Sequence, residues 1–185
     1  MKRAFFLILV ILGVIGCVTA ENRPDSYYLS DEYFNEISKE ENPWVMESFF
    51  AATNALTEND YVKAVGFASK GIDNIPKYRD IFTALYAIRG YAYIMQYNLD
   101  SALKDIENIT IIDKGSLMIP FLNTYYYLSY APFTDDPRYY YHKALDNIDI
   151  WKSRAPKNFF EKKFSDPARI AEVEKSVIDS MNKMK

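Results

Sequence analysis

The apolar residues of this chain recur at intervals of three and four positions along most of its length, and this spacing is the strongest constraint on the fold. It is clear in the run Tyr61, Ala64, Val65, Ala68 and Ile72. A period near 3.6 residues places such side chains on one face of a helix, whereas a half-buried strand needs a period of two. The six glycines and eight prolines are also few for the frequent turns of a β-sandwich. We therefore predict an all-α protein.

Three helix starts are marked by a capping residue followed by proline: Asn42, Asp136 and Asp166 each precede a proline. A side-chain oxygen at the N-cap accepts a free backbone N–H, and proline suits the first helical position. A shorter helix is expected from Ser30. The polar segment from Val18 to Ser30 is expected to be a tether.

The N-terminus combines a basic dipeptide, Lys2-Arg3, with thirteen apolar residues from Ala4 to Gly16. A helix needs about 20 residues to cross the ~30 Å hydrocarbon core of a bilayer, so this run is too short to span it comfortably. A basic head, a short apolar body and a small-residue end are typical of a secretory signal peptide. We assign residues 1–16 to such a signal.

The signal ends in the tetrapeptide Val14-Ile15-Gly16-Cys17, which resembles a bacterial lipobox. The resemblance implies that the Cys17 thiol is diacylglycerated, that the signal is cut just before it, and that acyl chains anchor the protein to a membrane. Each buried methylene contributes ~0.8 kcal/mol, so two or three chains hold a protein firmly. Val18 stands where aspartate is an inner-membrane retention signal, so the resemblance favours the outer membrane in a diderm host. Alternatively, Cys17 is merely a buried residue of a signal or anchor helix.

The central part of the chain resembles a tetratricopeptide array. Asp60, Tyr61, Ala64 and Pro76 match the acidic-aromatic turn, the crossing alanine and the closing proline of one such repeat. The corresponding alanine of the next unit is Ala102, 38 positions after Ala64, against 34 in the repeat. An insertion is therefore expected around residues 75–80. The alternative is a generic helical bundle.

The resemblance implies a short α-solenoid of about three antiparallel helix pairs over residues 43–152. The third pair fits poorly, since Pro137 takes the place of its crossing alanine. Residues 17–42 would hold the lipidated cysteine, the tether and the short helix. Residues 153–185 would hold a linker and an amphipathic C-terminal helix that caps the array, as repeat proteins require. That last helix could instead bind a partner.

The composition offers little for catalysis. One cysteine and one histidine exclude a disulfide framework and any metal site made only of these two residue types. His142 lies in a tyrosine-rich helix with no catalytic motif nearby, and no glycine-rich phosphate loop occurs. The formal net charge of −3 argues against a broad basic surface for nucleic acid. We therefore predict a protein that is not an enzyme and has no metal or cofactor.

Tyrosine is unusually frequent, with 16 residues including the triplets at 125–127 and 139–141. In the resembled family the first helix of each unit lines a face that holds partner peptides. That phasing predicts a candidate groove formed by Met46, Phe49, Thr53, Tyr91, Met95, Tyr126 and Tyr130. Alternatively, these rings only pack the units together. Arg89 is expected to be a structural ion-pair partner rather than a ligand clamp.

Two functions are favoured by these observations, and a third, enzymatic one survives only if acidic residues converge in a cleft. The first is a non-enzymatic scaffold that holds a protein partner in an envelope complex, because aromatic and methionine surfaces suit protein recognition. The second is a small-ligand binding lipoprotein, in which tyrosines stack on a sugar-like or similar ligand destined for a transporter. An open curved face would favour the scaffold, and an enclosed pocket between helices would favour the ligand. The sequence leaves the oligomeric state open.

Overall fold

A computed structural model describes residues 23–184, and within this range the chain is all-helical. The predicted lipobox, including Cys17, lies outside the described residues. Ten α-helices are found in this range: α1 Asp25–Tyr28, α2 Asp31–Glu40, α3 Pro43–Thr57, α4 Tyr61–Asp73, α5 Arg79–Met95, α6 Leu99–Ile112, α7 Met118–Tyr130, α8 Pro137–Ser153, α9 Phe159–Phe164 and α10 Pro167–Asn182. A short 3₁₀ turn, Ala131–Phe133, follows α7.

The three expected proline-marked helix starts are confirmed. Asn42 accepts a hydrogen bond from the Trp44 amide at 3.0 Å, Asp136 accepts one from Tyr139 at 3.1 Å, and Asp166 accepts one from Ala168 at 3.0 Å. Each capping oxygen thus satisfies an amide that has no partner inside the helix. The short helix α2 likewise begins after its cap, Ser30.

The central helices form three adjacent pairs, α3 with α4, α5 with α6, and α7 with α8. The pairs stack in chain order because α4 packs on α5 and α6 packs on α7. The first helices also touch one another, α3 with α5 and α5 with α7. We call the layer that these first helices form the inner face. The predicted all-α, solenoid-like fold of helix pairs is therefore correct.

The turns inside the first two pairs have the same geometry. Asn59 and Tyr97 both have positive φ, 57° and 58°. The amide after each one reaches back five residues, Asp60 to the Ala55 carbonyl at 2.8 Å and Asn98 to the Tyr93 carbonyl at 2.9 Å. The two turns are 38 positions apart, the same interval as the crossing alanines. The third pair is joined differently, through the 3₁₀ turn.

Small residues let the helices approach closely where they cross. Ala52, Ala64 and Ala102 are fully buried. A Cβ atom on Gly71 would lie 2.9 Å from Leu85 Cδ1, and one on Gly90 would lie 3.1 Å from a Leu122 methyl group. A larger side chain at either glycine would therefore require the neighbouring leucine to shift, so the helices are closely packed at these two positions.

Arg89 forms a bidentate ion pair with Asp105, as expected. Its Nε and Nη2 donate to the two carboxylate oxygens at 2.9 and 2.7 Å. The pair joins α5 to α6, and Arg89 Nη1 also donates to Ser69 Oγ of α4 at 3.1 Å. The Arg89 side chain is therefore held by contacts within the protein, as expected of a structural ion-pair partner.

Two hydrogen bonds join the segment around α2 to the start of α5 and to the connection that precedes it. Tyr33 donates to Asp80 at 2.7 Å, and the Tyr78 amide donates to Glu41 at 3.0 Å. Ile75, in the same connection, has a φ of 53°. This connection lies where the extra residues were expected. The last part of the expected tether forms the one-turn helix α1.

The C-terminal segment differs from the expected linker and cap in one respect. The last helix, α10, packs on α8 and buries Ile170, Val173 and Val177. Before it lies an unexpected helix, α9, which begins after Asn158, whose side chain accepts from the Glu161 amide at 3.0 Å. With only six residues, α9 is too short to produce a readable helical period.

Candidate functional site

Helix α9 lies over part of the inner face and contacts α2, α5 and α7. Phe160 is almost fully buried and meets the Phe49 ring edge-on at 5.3 Å, while Phe164 lies 4.9 Å from Phe121. Phe159 stacks on Phe34 of α2 at 4.6 Å. Three phenylalanines of one short helix thus fill space that an open groove would leave to a partner.

What remains of the inner face is a pocket of about 400 Å³. Its walls are mainly aromatic, and they come from α3, α5, α7 and α9: Phe49, Tyr91, Phe121, Phe159, Phe160 and Phe164. We call this space the aromatic pocket. Tyr91 stacks on Phe121 with ring centroids 5.8 Å apart, so part of its wall is a continuous ring surface.

Polar groups line one side of the aromatic pocket. Thr53, Thr57, Asn59 and Tyr61 come from the end of α3, the turn and the start of α4. The Thr53 hydroxyl donates to the Phe49 carbonyl at 2.9 Å, and the Tyr61 hydroxyl donates to Asn59 at 2.9 Å. Their oxygens keep lone pairs that can accept from a ligand.

Two cations also line the aromatic pocket, Lys163 of α9 and Arg169 of α10. The Arg169 guanidinium lies 5.5 Å from the Phe121 ring centroid and 5.9 Å from those of Tyr91 and Tyr125. Its Nε donates a long hydrogen bond to the Tyr125 hydroxyl at 3.4 Å. Burial raises the pKa of Tyr91, Tyr125 adds to that shift, and Arg169 opposes it. Tyr91 is therefore a neutral wall of the aromatic pocket at physiological pH.

A buried carboxylate fixes α9 in place. Glu161 is 1% exposed and accepts three hydrogen bonds, from Ser116 Oγ at 2.9 Å, the Leu117 amide at 2.8 Å and the Lys157 amide at 2.8 Å. Arg154 donates to the Ser116 carbonyl at 3.0 Å. Because Leu117 is the N-cap residue of α7, the start of that helix and the position of α9 depend on the same carboxylate.

The structure divides the seven predicted groove residues among different places. Phe49, Thr53 and Tyr91 come together in the aromatic pocket. Met46 is 5% exposed and belongs to the core, and Met95 is exposed outside the pocket lining.

Tyr126 and Tyr130 also lie outside the pocket lining. Their rings stack with centroids 5.9 Å apart and an interplanar angle of 8°. Tyr130 also meets Tyr140 of α8 edge-on at 4.8 Å. At this end of the array, tyrosines therefore pack α7 against α8.

Sequence reasoning missed α9 and Arg169 as parts of the site. The one available signal was the density of phenylalanine in Phe159, Phe160 and Phe164, since three such rings in six residues rarely all face water. Their positions depend on tertiary contacts with Phe34, Phe49 and Phe121, which lie far away in the chain. No local pattern contains such contacts.

Other kinds of site find little support in residues 23–184. No group of three or more His, Cys, Asp or Glu side chains within this range could hold a metal ion. His142 is exposed on α8. Within the same range, no helix is both long and apolar enough to cross a membrane.

Comparison with known proteins assigns no relatives: no family model, no curated protein and no solved structure matches this chain.

Proposed function

We propose that the protein is a lipid-anchored, non-enzymatic binding protein of the bacterial cell envelope, and that the aromatic pocket takes a small ligand. The observation that carries this proposal is the pocket of about 400 Å³ with aromatic walls and a few polar groups on one side. Small-molecule sites are typically clefts of ~300–1,000 Å³ with this mixture of apolar surface and sparse polar groups.

The position of α9 favours a small ligand over an extended peptide. A peptide lying along the first helices would have to pass from Phe49 and Tyr91 towards Tyr126. The Phe160 and Phe164 rings pack on that face, and Tyr126 lies outside the pocket lining. The accessible part of the inner face is therefore a bounded space rather than a continuous channel.

The chemistry of the lining supports binding rather than catalysis. Its ionisable side chains are Tyr61, Tyr91, Lys163 and Arg169. In the part of the chain that the structure describes, the lining contains no carboxylate, histidine or cysteine that could act as a base beside a nucleophile.

The anchor is proposed from the sequence. The lipobox-like tetrapeptide ending in Cys17 supports attachment by acyl chains, and Val18 favours the outer membrane in a diderm host. A lipid anchor would hold the aromatic pocket close to the membrane, where a transporter could receive the ligand. Because Cys17→Ala would also keep its apolar signal uncut, membrane fractionation alone does not test the anchor. A labelled fatty acid supplied to the native host should therefore be incorporated into the wild type and not into Cys17→Ala. Absence of label in the wild type, or equal label in both, would remove the lipid-anchor proposal.

The ligand proposal is tested by identifying the small molecules that co-purify with the protein. The full-length chain and its Tyr91→Ala and Tyr126→Ala variants would be purified from native-host membranes, and their small molecules extracted and identified by mass spectrometry. We expect one compound to be depleted in Tyr91→Ala and retained in Tyr126→Ala. Identical extracts from all three, with folding confirmed by circular dichroism, would overturn the proposal.

A protein-interaction scaffold remains the second candidate, because the surface carries an exposed aromatic pair away from the pocket lining. Tyr97 is 64% and Phe133 69% exposed, and their rings meet edge-on at 5.6 Å. Exposed aromatic groups of this kind are enriched at protein interfaces. Cross-linking in the native host should recover a defined partner from the wild type and lose it in Tyr97→Ala if this candidate is correct.

A further inference from the structure

The aromatic pocket is a locally positive site in an acidic protein. The whole chain has 25 acidic and 22 basic residues, yet the lining formed by residues 23–184 holds Lys163 and Arg169 and no acidic side chain. The field inside a partly enclosed, apolar-walled space is less screened than at the open surface. An anion is therefore favoured there over a neutral or cationic group.

Arg169 is the more informative of these two cations, because no carboxylate of residues 23–184 forms an ion pair with it. It is half-buried among three aromatic rings. Among the described residues, no carboxylate lies within 4.0 Å of it, and its guanidinium interacts instead with two tyrosine hydroxyls, those of Tyr125 at 3.4 Å and of Tyr91. By contrast, Arg89 in a similar half-buried position has both Asp105 oxygens.

A half-buried guanidinium without a counter-charge has lost part of its hydration and gained little in return. The aromatic rings offset some of this loss through cation–π attraction. They leave most of the five N–H donors of Arg169 free to bind an acceptor. A carboxylate matches the planar fork of donors best.

We infer that the aromatic pocket binds a small carboxylic acid with an apolar body, and that Arg169 holds the carboxylate. This inference rests on the proposed function and names the ligand class for the same site. Lys163, which is exposed beside the Phe159 ring at 4.9 Å, adds a second positive charge. The apolar body lies against Phe49, Tyr91 and Phe121.

The experiment compares matched probes on the full chain in lipid nanodiscs by isothermal titration calorimetry. The probes are 4-phenylbutyrate and decanoate, each beside its uncharged primary amide, with the heat of empty nanodiscs subtracted. We expect each carboxylate to bind at least about tenfold more tightly than its amide, since a hydrogen bond to a charged group is lost in the amide.

Single substitutions test which residues produce the preference for the carboxylate over its amide. Arg169→Gln should lower carboxylate affinity at least about tenfold and leave amide affinity within about twofold. Arg169→Lys should retain part of the preference, since the charge remains and the planar fork is lost. Lys163→Gln, at an exposed side chain that cannot endanger folding, should reduce the preference by a smaller factor. Thermal melting of each variant shows whether the fold is intact.

The outcomes separate the inference from the proposed function. Equal affinity for acid and amide, or a preference that survives Arg169→Gln, would overturn the inference while leaving a ligand-binding pocket. Absence of binding for both carboxylates would also overturn it. The proposed function fails on a different result, namely that the material extracted from the native protein is unchanged by Tyr91→Ala.

Discussion

The Glu161 carboxylate accepts a hydrogen bond from the Leu117 amide at 2.8 Å, and this contact joins α9 to the first turn of α7. The residues are 44 positions apart in the chain. Two further donors, Ser116 Oγ and the Lys157 amide, complete the environment of the carboxylate. A polar cluster, and not only phenylalanine packing, therefore determines where α9 covers the inner face.

Removal of this carboxylate should destabilise the protein strongly. Glu161→Ala leaves three donors without their acceptor, and each unsatisfied buried group costs roughly 1–3 kcal/mol. We expect a loss of at least about 3 kcal/mol in the free energy of unfolding, measured by urea denaturation. Hydrogen exchange should also rise in α9 before it rises in α5. Glu161→Gln is the matched variant, and it should cost about 1–2 kcal/mol because the amide keeps one acceptor oxygen. Equal stability of Glu161→Ala and wild type would contradict this role.

Removing one partner of the Arg89–Asp105 pair should strongly lower the free energy of unfolding, whereas replacing both partners with apolar residues should change it little. Arg89→Met leaves the carboxylate of Asp105, which is 1% exposed, without its partner. We expect a loss of about 3–5 kcal/mol in unfolding free energy, and the double change with Asp105→Leu should recover most of it. Chemical denaturation of the two single variants and the double variant measures their coupling. Additive losses would show that the pair does not act as a unit.

Two glycines of α4 offer a matched test of close helix packing. A methyl group on Gly66 would meet open space, so Gly66→Ala should stabilise the protein by roughly 0.5–1 kcal/mol through helix propensity. Gly71→Ala gains the same propensity but places Cβ 2.9 Å from Leu85 Cδ1 and 3.2 Å from Ser48 Cβ. We expect it to destabilise by about 1–3 kcal/mol. If both variants were stabilised in thermal melts, Gly71 would not limit the approach of the helices.

Tyrosine ionisation should limit stability at alkaline pH. The hydrogen bond to Glu36 raises the pKa of Tyr27 to about 12, burial and the bond to Asp80 raise that of Tyr33, and burial raises that of Tyr91. In the unfolded chain these pKa values are near 10. Because the folded values are higher, the stabilisation is complete below about pH 10 and is lost as pH rises above it.

Absorbance of the phenolate form measures this effect. We expect one group of tyrosines to ionise only above about pH 10, at the same pH at which the helical circular dichroism signal is lost. Tyr33→Phe removes one raised group and should make the loss shallower. Ionisation of every tyrosine near pH 10 in a protein that stays folded would contradict the assignment.

The helices could be predicted because their starts and faces are local properties. Asn42, Asp136 and Asp166 cap their helices within two or three residues in the sequence. Ala64 and Ala102 could be assigned to helix crossings because the alanine recurs at an interval close to that of the resembled repeat. The repeat is also visible in the matching turns at Asn59 and Tyr97.

The site could be predicted only in part, because it depends on where the C-terminal segment folds back. Phe49, Thr53 and Tyr91 follow from the phase of the first helices. Arg169 lies beside Tyr91 only because α10 packs on α8, and Phe160 meets Phe49 only because Glu161 fixes α9. Such contacts join residues far apart in the chain, and a residue-by-residue pattern does not contain them.

The central claim is that the inner face holds a small ligand rather than a protein partner, and site-specific photo-cross-linking in the native host tests it most directly. A benzoylphenylalanine would be introduced at Thr57, which is exposed and lines the aromatic pocket. The matched position is Val62, which is 72% exposed outside the pocket lining. We predict that irradiation adds a small-molecule mass at position 57, adds none at position 62, and yields no protein adduct at position 57. A defined protein cross-linked at position 57 and absent at position 62 would contradict the claim and favour the scaffold.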